Sequence, residues 1–326
     1  MIFILLALPL FAAGGQSASA PAAGSAGAAP SLAGKTVYIN VPHRVGASTD
    51  IIGRIFQPYF EKESGATVII ENLEGGGGNK AHSTTYRARP DGNTLEITPF
   101  PSAILGELTK DGDFKTMEYS YISNITGNDY NAIFVPYDSP YQTLVDLINA
   151  AKTNVLNCAG SGIGTNGHMA LILLEKSAGV KFNYVSFDGG PQAATAVAGG
   201  HTHMGVANAV SLPELNDQKR IRILGIIGAN RLSAFPDVPT AKELGYENAV
   251  MDPCVGLIGP PGMDKTLIDY IDGITRRVCQ DPEFQAQMAK NAATIVYLGP
   301  SDFWALAQKI HEQAVVVAPE IAAMAN

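Results

Sequence analysis

Short β-branched runs alternate with amphipathic helical stretches along almost the whole chain, and three strand ends run into a helix start through a glycine-bearing loop. The strand candidates include "VYINV" (37–41), "ATVIIEN" (66–72), "LEIT" (95–98), "AIFVP" (132–136), "VKFNYVSF" (180–187), "HMGVAN" (203–208), "RILGIIG" (222–228), "VGLIGPPG" (255–262) and "TIVYL" (294–298). Helices are expected over 51–63, stopped by Gly65, and over 143–153, 168–174, 191–200, 264–292 and 301–313. "GGGGN" (75–79) opens a further helix, and "RPDGNT" (89–94) is a turn by its Pro-Asp-Gly chemistry. Strands that alternate with helices bury their apolar faces as parallel α/β layers. No repeat of solenoid period is visible.

The three loops are residues 42–50, 159–168 and 187–191. The second holds Gly162-Ile163-Gly164-Thr165-Asn166-Gly167, a G-x-G-x-x-G with Asp188 about 20 residues further on, the spacing of a dinucleotide-binding turn. It lies in mid-chain and not in a first βαβ unit, and no Walker pattern accompanies it. A hydrolase elbow fails on spacing, because the glycines it needs two residues either side of Ser161 are Ala159 and Ile163. No catalytic residue is assigned. What the loops share is a helix start with free backbone N–H groups at the positive end of a helix dipole, which favours an anion by about 0.3–1 kcal/mol at the surface and about 2 kcal/mol when partly buried. Ser48, Thr49 or Asp50 can cap the first helix, and Thr165 or Asn166 the second. Pro191 suits the first position of the third. Several such ends with hydroxyls nearby make a carboxylate or phosphate site. Arg44 lies inside the first loop between His43 and Val45, and its guanidinium can grip a carboxylate bidentately.

Composition removes other classes. A chain of 326 residues allows two domains, and 46% hydrophobic with 16% charged residues is ordinary for an α/β protein with a sizeable core. The net charge is −8 and there is no Lys/Arg run, which argues against nucleic acid and anionic membrane surfaces as partners. Cys158, Cys254 and Cys279 form neither a disulfide framework nor a zinc spacing, and no metal or cofactor is expected. Residues 1–13, "MIFILLALPLFAA", read as the apolar region of an export signal, without a basic start. "LPLFAAGGQS" is similar to a lipoprotein box in which Ala13 stands in place of the lipidated Cys, so no lipid can attach there as written. Residues 14–34 are a Gly/Ala/Ser/Pro linker that buries nothing. Export would put the body in the periplasm or on the outer face of the cytoplasmic membrane. It leaves a Cys254–Cys279 disulfide open, with Cys158 free.

In order along the chain stand "VPHRVGASTDIIGRIFQPYF", "VIIENLEGGGGN", "RPDGNTL", "GSGIGTNGHMALILLEKSAGV", "YVSFDGGPQAATAVAGG" and "AFPDVPTAKELGY". This series resembles the substrate-binding receptors of tripartite tricarboxylate transporters, the Bug family, over about residues 35–326. The resemblance implies a two-lobed periplasmic-binding-protein fold, similar to type II, with a ligand cleft between the lobes. It implies no chemistry: a monomeric receptor would capture a small carboxylate, di- or tricarboxylate favoured, and present it to the membrane subunits. One lobe is expected from 35–135 plus 250–326 and the other from 136–249. By the family's contacts the ligand residues would be His43, Arg44, Val45, Gly46, Ala47, Ser48, Thr49 and Asp50, then Ser161, Gly162, Thr165, Asn166 and His168, then Phe187, Asp188 and Gly189, with Asn208 closing the set. The first loop departs from the usual Pro-Phe-Pro-Pro-Gly-Gly by placing Arg44 where a proline is common. Phe187 and Asp188 replace a frequent Tyr and Lys, and Cys158 a frequent Tyr. Asp188 can accept from an amino or hydroxyl group of a ligand or simply cap a turn. A sensory module with the same cleft, and a nucleotide-dependent enzyme using the 162–167 loop, are the alternatives.

Overall fold

The computed structural model describes residues 29–109, 112–291 and 293–325. The proposed export signal and nearly all of the linker lie outside the described residues. The chain begins with strand β1 (Thr36–Val41), helix α1 (Ser48–Ser64), β2 (Thr67–Asn72), α2 (Asn79–Tyr86), β3 (Thr94–Phe100), α3 (Ser102–Thr109) and β4 (Ser120–Gly127). Then follow β5 (Asn131–Pro136), α4 (Leu144–Ala151), β6 (Asn157–Gly160), α5 (Asn166–Ala178), β7 (Asn183–Ser186), α6 (Gly190–Ala198), β8 (Met204–Asn208), α7 (Pro213–Asp217) and β9 (Ile221–Ile227). The chain ends with β10 (Cys254–Gly259), α8 (Lys265–Gln280), α9 (Pro282–Lys290), β11 (Thr294–Leu298) and α10 (Pro300–Ala325).

Two sheets result, ordered β11-β4-β10-β3-β1-β2 and β7-β6-β8-β5-β9. The chain passes from the first to the second between Gly127 and Asn131, through Asn128 at φ 55, and returns between Ile227 and Cys254. All of β5 therefore belongs to the second sheet, so the first changeover falls a few residues before the expected 135/136 boundary. The sheets are mixed rather than parallel. Strands β1, β2 and β3 run parallel, as do β6, β7 and β8, but β5 is antiparallel to β8 and β9, and β10 is antiparallel to β3 and β4. Strands β5 and β10 are each the first one after a crossing, where the chain enters the other sheet from the opposite direction, and the edge strand β11 is likewise antiparallel to β4.

Helix α1 buries Ile52, Phe56, Tyr59 and Phe60 against the first sheet and stops at Gly65, which takes φ 69. The expected 264–292 helix is two helices, because Asp281 caps a new start through Glu283 N–H and Pro282 takes its first turn. The last helix continues to Ala325, well past residue 313. It packs on α3, β4 and α8 on the first-lobe side and on α5 on the second, so it ties the lobes together. Its Glu320 carboxylate accepts from Lys181 at 2.8 Å and also pairs with Lys176. The largest apolar cluster accordingly runs through both lobes, from Phe100 and Ile104 by way of Phe303 and Ile310 to Leu171 and Leu224. All three cysteines are free and buried. Cys254 and Cys279 sit in different core clusters, so the disulfide left open by the sequence is not formed, and Cys158 is enclosed in β6.

Candidate functional site

The first-lobe loop between β1 and α1 is shaped from within. Gly46 adopts φ 82, which only glycine takes without strain, and its N–H donates to the Asp50 carboxylate at 2.8 Å. Asp50 is 1% exposed and also accepts from Arg54 Nε at 3.0 Å and from Asn72 Nδ2 at 2.8 Å. Burial alone would raise its pKa, but the hydrogen bonds from Arg54, Gly46 and Asn72 together hold the carboxyl below its ordinary value. Thr49 is buried, with its hydroxyl 3.2 Å from His43 Nδ1. Burial, aided by nearby His82 and opposed by Glu96, pushes the His43 imidazole down to about 4, so it is neutral at pH 7.

The expected capping by Ser48, Thr49 or Asp50 is therefore corrected. The N-cap of α1 is Ala47, which has no side chain to offer, while Thr49 and Asp50 point to loop partners. The first turn of α1 keeps its N–H groups free of a side-chain cap. Arg44, Val45, Gly46 and Ser48 are exposed, and Ala47 is half-buried.

In the second lobe Thr165 caps α5, its hydroxyl accepting from His168 N–H at 3.3 Å and donating to the Gly162 carbonyl at 2.9 Å. Ser161 Oγ lies 3.3 Å from Thr165 Oγ1. Gly162 takes φ 122 and is gripped by Tyr184, whose hydroxyl accepts from its N–H at 3.2 Å and donates to its carbonyl at 2.7 Å. His168 is 1% exposed and stacks on the Tyr184 ring at 4.2 Å, with Nδ1 accepting from Gly164 N–H at 3.2 Å. Burial lowers its pKa to about 4. Its place is underneath the loop, holding it up, not on the open side. Helix α6 starts at Gly190 with Gly189 as N-cap and Pro191 in its first turn, again without a side-chain cap. Phe187 is half-buried against the second-lobe core, and Asp188 is exposed.

The two lobes meet at these ends. A Cβ placed on Gly189 would stand 3.9 Å from Arg44 Nη2, so the first-lobe guanidinium lies beside the uncapped start of α6. Among the described residues Arg44 makes no ion pair. Ser102 at the start of α3 donates to Asn166 Oδ1 at the start of α5, at 2.6 Å. Asn208, at the end of β8, uses its amide locally: Oδ1 accepts from Val210 N–H at 3.0 Å and Nδ2 donates to Asp129. Burial raises the Asp129 pKa, against the Asn208 hydrogen bond.

Sequence reasoning missed Ser102, Tyr184 and Asp129. The signal for Tyr184 was present, as a bulky aromatic in the strand beside a run of glycines. A side chain on Gly160 would collide with its ring, at 2.1 Å from a Cβ. Among the described residues no group of three or more His, Cys, Asp or Glu could hold a metal, and no helix is long and apolar enough to cross a membrane.

Known proteins resemble the chain in sequence and in fold. Residues 52–321 match the model of the tripartite tricarboxylate transporter family receptor. A UPF0065 protein from the gbd 5′ region of Cupriavidus necator is 30% identical over 258 residues, covering 78% of each chain. A TctC solute-binding protein from Polaromonas superimposes with TM-score 0.77 at 21% identity, over 88% of this chain and 99% of its own. MatC from Rhodopseudomonas palustris with bound malate gives 0.74 at 22% identity, over 87% and 99%. R. palustris Rpa4515 with adipate gives 0.74 at 20% identity, over 89% and 96%. The fold is that of two-lobed periplasmic binding proteins, and the chain belongs to the tripartite tricarboxylate transporter family of receptors.

Proposed function

We propose that the chain is a periplasmic, non-catalytic receptor that closes two lobes on a small di- or tricarboxylate and delivers it to the membrane subunits of a tripartite transporter. The observation that carries this is the approach of Arg44, in the loop that leads into the uncapped start of α1, to the uncapped start of α6. Two helix ends supply N–H groups and partial positive charge, and the exposed Arg44 guanidinium supplies a formal cation beside Gly189. One carboxylate can be held by backbone N–H groups and hydroxyls alone. A second is what makes an added arginine useful, since a desolvated guanidinium is tolerated only when an anion fills its fork. The relatives described with malate and adipate hold dicarboxylates, in keeping with this reading.

Among the candidate residues, Arg44, Ser48, Ser161, Thr165, Gly189 and the neighbouring loop backbone are the ligand contacts in this account. Asp50, Thr49 and His168 shape the loops that present them. The lobes, divided at the two sheet crossings, close as a hinge with the ligand between them.

The test is a thermal-shift screen of mono-, di- and tricarboxylates on the purified protein. A ligand at about 100 times its dissociation constant adds about 2.7 kcal/mol of stability. Stabilisation by di- or tricarboxylates at concentrations where monocarboxylates do nothing is the expected result. A protein indifferent to every carboxylate would contradict the proposal.

A further inference from the structure

The first turn of α6 is Gly190-Pro191-Gln192. The helix buries Ala193, Ala194, Ala196 and Val197, which leaves Gln192 on its outer side, exposed. The Gln192 amide folds back over the N-cap: a Cβ on Gly189 would stand 3.2 Å from Gln192 Oε1. The same Cβ would stand 3.9 Å from Arg44 Nη2. An acceptor of the second lobe and a donor of the first therefore converge on one point, the place of the side chain that Gly189 lacks. Gly189 takes φ 119, a backbone that other residues rarely adopt, so that point stays open. Among the described residues neither side chain has a hydrogen-bond partner, and Asp188, exposed one residue earlier, makes no ion pair with Arg44. A long exposed arginine loses several rotatable bonds when it is recruited to a ligand, and that cost falls when part of the side chain is held beforehand. A guanidinium carries five N–H donors, and a carboxylate gripped bidentately takes two. A neutral amide oxygen can take another without cancelling the charge, whereas a carboxylate in its place would cancel it.

We propose that Gln192 is a positioning residue for Arg44: as the lobes close, its Oε1 accepts from the guanidinium across Gly189 and fixes the fork in which the carboxylate of the ligand is held. The proposal rests on the reading of the cleft as a carboxylate site. It makes the grip on the second carboxylate a joint product of the two lobes, with the charge from the first and the orientation from the second. Gln192 acts through Arg44, so its contribution to affinity exists only while Arg44 is present.

Calorimetric titration with malate, succinate and adipate tests it on wild type, Gln192→Ala, Arg44→Ala and the double variant. Gln192→Ala is expected to lose about 3- to 10-fold in affinity when Arg44 is present, and less than about twofold when it is added to Arg44→Ala. Gln192→Glu supplies a readout that needs no ligand. Its new carboxylate is expected to pair with Arg44, so the ligand-free protein melts higher than wild type, and by less in the Arg44→Ala background. The same variant is expected to lose about 30-fold or more toward the three acids, because it sets an anion beside the anion to be bound. An equal loss for Gln192→Ala with and without Arg44, or an equal melting rise for Gln192→Glu in both backgrounds, would overturn the inference and leave the carboxylate reading standing. A wild type that binds none of the three acids would overturn the carboxylate reading, and this inference with it.

Discussion

Ser102 Oγ donates to Asn166 Oδ1 at 2.6 Å, joining the start of α3 in the first lobe to the start of α5 in the second. It is a direct polar bond between lobes, at the helix end that carries Ser161 and Thr165. Under the proposed hinge closure, opening would break it, so that closure and ligand capture would draw on the same bond. A neutral hydrogen bond of this kind contributes about 0.5–1.5 kcal/mol, or about 2- to 12-fold in affinity. Ser102→Ala is expected to weaken carboxylate binding by that factor and to enlarge the ligand-free protein in small-angle scattering. Unchanged affinity together with unchanged dimensions would show that the bond has no part in closure.

Asp50 makes a different prediction, about folding. Its carboxylate gathers Gly46, Arg54 and Asn72, and its pKa is depressed in the folded state. A depressed carboxyl contributes stability that is present above its unfolded value of about 3.9 and lost as pH falls through the folded value. Asp50→Ala removes the shared charged acceptor of Gly46, Arg54 and Asn72 and is expected to cost about 1–3 kcal/mol. It should also loosen the 42–50 loop and so weaken ligand binding. Denaturant unfolding between pH 2.5 and 7 checks this: the variant should lose less stability than wild type below about pH 4. Parallel pH curves would remove Asp50 from the acid response.

His168 and His43 act in the next window up. Both are held near 4, well below the ordinary value of about 6.5. Between those values the unfolded chain binds protons that the folded one does not. Stability therefore falls as pH is lowered from about 6.5 to 4, by up to about 1.4 kcal/mol per pH unit for each group. His168→Gln should flatten that slope by one group's share, leaving that of His43. An unaltered slope would mean that His168 is already protonated in the fold.

Much of the fold was legible because period and punctuation agree. The β1 run, α1 with its Gly65 stop, and the 203–208 and 222–228 strands lie within a residue or a few of where the pattern puts them. Strand β4 was not legible, since "SYISNITG" intersperses Ser and Asn among its apolar residues. These polar groups are buried only because distant partners take them: Ser123 donates to Asp272, Asn124 to the Val296 carbonyl and Ser120 to the Pro260 carbonyl. The reversed strands were hidden for the same reason, because direction in a sheet depends on where the chain crosses and not on local residues. At the site, the glycine loops and Arg44 could be read locally. The division of labour inside them could not. Asp50 and His168 look like ligand residues in a string of letters, and in the fold both are buried and hydrogen-bonded within their loops. Ser102 carries no motif, and reaches the start of α5 only through the turn after β3.

The central claim concerns Arg44, which is exposed and free of ion pairs among the described residues yet close to Gly189 of the other lobe. The direct measurement is calorimetric titration of wild type and Arg44→Ala with a dicarboxylate and with a monocarboxylate of equal length. Wild type is expected to bind the dicarboxylate more tightly. The variant should lose about 2–5 kcal/mol toward it, at least about 30-fold, and much less toward the monocarboxylate, with its ligand-free melting temperature unchanged. Equal dicarboxylate affinity in wild type and Arg44→Ala would contradict the account.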